Sequence, residues 1–140
     1  MSLRAIPLIA IAFILYNILE VFNLDLNHPI FALPMPSGHL PEHPVKWTFT
    51  WGDLLIITTL ACLFIELLKS TFATASSMVD HALSLVLMMV CLVEFLLVEK
   101  AATSVFFVIL FATMIDVIAG YTIGTAVARR SLNVGGNDNN

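Results

Sequence analysis

Long apolar runs separated by short polar breaks dominate the chain. Four of them, at 5–22, 49–68, 78–98 and 102–128, approach or exceed the roughly 20 residues that a helix needs to cross a ~30 Å hydrocarbon core. They are continuously apolar, whereas the strands of a membrane barrel alternate over about 10 residues. The pattern predicts an all-α, polytopic membrane protein: four transmembrane helices in an antiparallel bundle, one domain over 1–130, followed by a disordered tail at 131–140. Set into the runs are five carboxylates and a histidine, at Glu20, Asp53, Glu66, His81, Glu94 and Asp116.

The breaks differ in kind. The first, 23–48, holds five prolines and is expected to be ordered by proline stiffness instead of a core. Its apolar residues Ile30, Phe31, Leu33, Met35, Leu40, Val45 and Trp47 suggest a segment lying along the membrane surface, with Trp47 and Trp51 in the interfacial belt. The second break, 70–77, is short, and the third is little more than Glu99-Lys100, so consecutive helices are expected to be neighbours. The tail, with Gly135-Gly136 and its run of Asn and Asp, has nothing to pack.

Composition agrees with this reading. Of the 140 residues 59% are hydrophobic and 11% charged, with a mean hydropathy of +0.96, which does not describe a domain with a hydrated surface. A start with Arg4, an apolar stretch and Ala10 and Ala12 has the outline of a secretory signal, but cleavage after Ala12 would leave too short an apolar segment. It is read as a retained first helix, with Pro7 in its first turn. Placing the N-terminus in the cytoplasm puts Arg4, Lys69, Arg129 and Arg130 inside and only Lys46 and Lys100 outside, so both termini are expected to be cytoplasmic. Acidic residues do not enter that rule, so the net charge of −4 points to no nucleic-acid or other charged partner.

An ionised carboxylate near the bilayer centre costs about 2.5–3.5 kcal/mol even on the lenient insertion scale, so each is expected to face protein or water. On the third helix Asp80, Ser84, Leu87, Cys91 and Glu94 fall on one stripe. On the fourth, Ala112, Asp116, Gly120, Gly124 and Ala128 recur every four residues, and Gly120-x-x-x-Gly124 would let another backbone approach closely. By depth, Glu20, Asp53 and Glu94 lie near the outer ends of their helices, and Glu66, Lys69, Asp80 and His81 near the inner face, with Asp116 just above. Glu66 and Lys69 form an i, i+3 pair, and Asp53 and Asp80 open helices where a carboxylate is favoured. Glu94 and Asp116 have no sequence-local partner. They are expected to keep their protons or to hydrogen-bond to Asn17, Tyr16, Thr58, Thr59 or Tyr121 on another helix.

No catalytic signature is present: no G-x-S-x-G, H-E-x-x-H, P-loop or dinucleotide turn. His28, His39 and His43 are weak metal candidates, since Pro41 and Pro44 break the helix on which H-x-x-x-H spacing works, and His81 has no second intramembrane histidine for haem. No cofactor is expected. Cys62 and Cys91 differ in depth by roughly 8 Å, too far for a disulfide.

At Ser77-Met-Val-Asp-His-Ala-Leu-Ser, Cys91-Leu-Val-Glu-Phe-Leu and Asp116-Val-Ile-Ala-Gly-Tyr-Thr the chain resembles small four-helix bacterial inner-membrane proteins of unassigned function. That resemblance spans nearly the whole chain and implies a multi-pass place in the bacterial inner membrane, but no activity. Marker residues of transporter small subunits and of haem-bearing dehydrogenase anchors are not evident. The expectation is a non-enzymatic accessory or assembly subunit among membrane lipids, partnered with other membrane subunits or itself. A proton- or cation-translocating homo-oligomer is the alternative, and lipid or quinone binding between helices the weaker one.

Overall fold

A computed structural model describes residues 6–35, 45–71 and 77–135, with 77–81 and 127–135 described by backbone alone. The chain is mostly helical. In order it forms α1 (Ile9–Val21), an antiparallel pair β1 (Pro29–Pro34) and β2 (Lys46–Thr50), then α2 (Trp51–Thr71), α3 (Ser77–Leu97), a 3₁₀ turn (Glu99–Ala101) and α4 (Ser104–Gly135). Two helices, Trp51–Thr71 and Ser104–Ala126 within α4, are long and apolar enough to cross a membrane, with mean hydropathies of 1.9 and 2.1. α1 and the Ala82–Leu97 part of α3 are apolar but shorter.

Local chemistry sets the boundaries. α1 begins four residues later than the apolar run because Pro7 has no N–H to continue a helix backward, and its carbonyl accepts from Ala10 instead. It ends at Asn23, whose positive φ of 53° is tolerated by Asn. Asn23 N–H donates to Glu20 O and Leu24 N–H to Leu19 O, the paired bonds of a Schellman ending. α2 begins at Trp51 on a capping box: Thr50 N–H donates to Asp53 Oδ2 at 2.8 Å, and Asp53 N–H to Thr50 Oγ1 at 3.2 Å. Thr103 caps α4 by accepting from Phe106 N–H. α4 continues to Gly135, so the tail expected from Ser131 begins as helix; residues 136–140 lie outside the described set.

The first loop differs from expectation. Proline stiffness is not what orders its described residues; Phe31 pairs with Phe49 and Leu33 with Trp47 across an antiparallel ladder. Pro29 and Pro34 stand at the two ends of β1, where a missing donor does least harm. The alternation places Phe31, Leu33, Trp47 and Phe49 on one face, with the Phe31 and Phe49 rings stacked at 4.9 Å. Density of proline hid a period-2 pattern. β2 runs into α2 without a linker.

Packing centres on α4. It meets α1, α2 and α3, α1 also meets α2, and α2 and α3 are not a principal pair although only five residues join them. Among the described residues α2 and α3 each have α4 as their main partner. Small buried residues on α4, Ala112 and Gly120 among them, allow this close insertion. Near the hairpin end Tyr16, Leu55, Cys91, Phe106 and Ile109 form one apolar cluster; farther along, Ile9, Leu63 and Ala112 form a second.

Candidate functional site

Polarity is inverted relative to a water-soluble protein. Ile57, Phe64, Leu96, Phe107, Phe111 and Ile118 are exposed, while Thr59, Glu66, Ser84, Thr113 and Asp116 are buried. The buried polar groups gather in two layers.

At the hairpin end, Tyr16 of α1 is 1% exposed and meets the Phe106 ring edge-on at 4.8 Å. Its hydroxyl donates to Lys100 O at 3.0 Å and pairs with Thr103 Oγ1 at 2.8 Å, tying α1 to the turn before α4. Lys100 in turn donates to Asn23 Oδ1 at 2.7 Å. Glu20, half-buried, lies within hydrogen-bonding reach of Tyr16. Asp53 belongs to the α2 cap, as expected of a carboxylate at a helix start. Gly52 closes this end: its N–H donates to Leu26 O at 2.8 Å, and a Cβ there would sit 3.1 Å from Val105 Cγ2 and 3.3 Å from Leu26 O.

Glu94 of α3 is half-buried and lies within hydrogen-bonding reach of the Asn17 carboxamide of α1, one of the five partners expected for it. The other candidates are engaged elsewhere. Thr58 and Thr59 donate to Leu54 O and Leu55 O of their own helix, and Tyr121 is exposed. Glu94 and Asn17 line a groove of about 380 Å³ with Phe13, Ile14, Ile18, Val21 and Phe22.

The second layer lies roughly 22 Å along α2 from Trp51, counting 15 residues at 1.5 Å each. Glu66, 4% exposed, accepts the N–H groups of Leu8 at 2.6 Å and Ile9 at 3.3 Å through Oε2. α1 has no side-chain cap of its own, so a carboxylate 58 residues away serves as one, satisfying two of the donors that a helix start leaves open. Lys69 stands 4.0 Å from Oε1, the i, i+3 pair read from the sequence. Asp116 on α4, 3% exposed, lies within electrostatic range of Glu66.

The predicted packing face of α4 is an inward one at Ala112, Asp116 and Gly120 and half-buried at Gly124. On α3, Ser84 and Cys91 are buried as the stripe required. The side chains of Asp80, His81 and Ala128, and all of His39 and His43, lie outside the described residues; His28 is exposed. Among the described residues no group of three or more His, Cys, Asp or Glu could hold a metal. Sequence reading missed the roles of Asn23, Gly52, Lys100, Thr103 and the amides of Leu8 and Ile9. Thr50-x-x-Asp53 was the one legible signal among the caps.

Comparison with known proteins finds no matching family model. No curated protein and no solved structure is significantly similar to the chain.

Proposed function

We propose that the chain is a non-enzymatic integral membrane protein, a four-span bundle in a bacterial inner membrane, acting as an accessory or assembly subunit of a larger membrane complex. The observation that carries this reading is how the interior polar groups are used. Glu66 caps α1, Asp53 caps α2, and Tyr16 and Thr103 join α1 to α4. Each holds one element to another, while large apolar side chains face outward. A bundle whose interior chemistry is spent on its own assembly has its surface left to act with.

The small-residue face of α4 supports the bundle itself and is not the docking face, because Ala112 and Gly120 are buried within the chain. That leaves the aromatic face of the hairpin and the outer helix surfaces for a partner. Purification of tagged protein from its native membrane in mild detergent, with mass determination, tests the reading: a stoichiometric membrane partner is expected, and a solitary monodisperse species would overturn it.

One observation favours a second reading, a proton- or cation-translocating homo-oligomer: two buried carboxylates, Glu66 and Asp116, sit within electrostatic range of each other on packed helices. Against it, Thr59, eight residues into α2, and Thr113, one turn from Asp116, donate back to Leu55 O and Leu110 O of their own helices. Proton flux in reconstituted vesicles that is unchanged in Asp116→Asn and Glu94→Gln excludes this reading.

A further inference from the structure

α1 and α3 both pack on α4 and are not a principal pair with each other. The gap left between them is the groove of about 380 Å³ lined by Phe13, Ile14, Asn17, Ile18, Phe22 and Glu94. From Phe13 to Phe22 it follows α1 for roughly 13 Å at 1.5 Å per residue. Apart from Asn17 and Glu94 its lining is apolar, which suits a hydrocarbon chain.

Its polar groups are one-sided. Asn17 Nδ2 already donates to Phe13 O at 3.1 Å, and the same carboxamide lies within reach of Glu94. What remains to face a ligand is acceptor only: the Glu94 carboxyl oxygens and Asn17 Oδ1. Among the described residues Glu94 has no cationic partner, since Lys100 is turned to Asn23 and Lys69 lies with Glu66. Glu20, three residues beyond Asn17 on α1, adds a second acid near the same end. A carboxylate beside a lipid-facing groove without a cationic partner is costly.

We propose that this groove holds one acyl chain of an amine-headed phospholipid, with the primary ammonium donating to Glu94 and Asn17. The head has the cationic donors that the site lacks, and the chain matches the apolar lining of the groove. A trimethylated head has no N–H to give and is not retained in preference. The proposal rests on the membrane-spanning reading, though not on the accessory role.

The test is reconstitution into nanodiscs of equal parts amine-headed and choline-headed phospholipid, detergent exchange, and native mass spectrometry of what stays bound. Wild type and an Asp25→Asn control are expected to retain one amine-headed lipid in about tenfold preference, the scale of one charge-assisted hydrogen bond. Glu94→Gln is expected to lose the preference, and Ile18→Trp, which fills the groove, to lose retention of both lipids. Equal retention of the two lipids by wild type, or a preference that survives Glu94→Gln, overturns the proposal; so does cross-linking of Ile18→Cys to a protein helix. Resistance to alkaline extraction and an unchanged helical circular dichroism in the same preparations test the membrane-spanning bundle separately. If they hold and the preference is absent, the lipid site alone falls.

Discussion

The two polar layers solve the same problem by different means. At the hairpin end the helix caps are local, Thr50 with Asp53, the Asn23 backbone after α1 and Thr103 before α4, while Lys100 reaches Asn23 Oδ1 from 77 residues away. Tyr16 then joins these local caps across the bundle. At the other layer Glu66 reaches 58 residues back to the start of α1, and Asp116 arrives from a third helix. The first layer is a set of small, replaceable contributions. In the second, one buried carboxylate, Glu66, meets two backbone N–H groups of another helix, Lys69 and a like charge at Asp116, so several elements depend on a single side chain.

That difference is open to attack by mutation. Glu66→Ala removes the cap from two backbone N–H groups and is expected to cost about 3 kcal/mol. Melting temperature in detergent measures it, and a loss no larger than that of a hairpin-end cap would erase the distinction between the layers. Gly120→Leu drives a side chain into the buried face of α4 and is expected to cost about 1–3 kcal/mol by overpacking, more than Asp25→Asn at the exposed loop. Equal melting of the two variants would show that α4 does not pack through this position.

Gly52→Val tests the closure of the hairpin end. Its branched side chain meets Val105 and the Leu26 carbonyl, and about 1–2 kcal/mol of destabilisation is expected, with Gly52→Ala milder. Denaturant titration that ranks Ala at or below Val in stability would contradict the contact. Smallest are the local caps: Asp53→Ala and Tyr16→Phe are each expected to lose about 1 kcal/mol. Because Tyr16 and Asp53 belong to separate interactions, the double variant should be additive within about 0.5 kcal/mol. Strong coupling would mean that the hairpin end is one network, like the layer at Glu66.

The helices were legible wherever the signal was local. The apolar runs find all four, with α4 continuing seven residues past its run, and Ser84, Cys91, Ala112, Asp116 and Gly120 are buried. Glu66 with Lys69 was legible too, being a pair within one turn. The hairpin was not, because prolines at the ends of β1 and the pairing of Phe31 with Phe49, 18 positions apart, carry no contiguous strand pattern. Gly52 gave no signal either: its need for hydrogen in place of a side chain comes from Val105 and Leu26, neither adjacent in the chain.

By itself, then, the sequence determined the number of helices, the length and apolarity that would let two of them cross a membrane, and the inward face of several residues. Those follow from hydropathy and a period of 3.6, properties of single segments. Only the tertiary structure decided that α4 is the centre, that Glu66 caps α1, and that α1 and α3 stand apart with Glu94 and Asn17 between them. A backbone amide has no residue identity, and the space between two helices belongs to neither. Both exist only once the chain has folded and brought distant groups to one place.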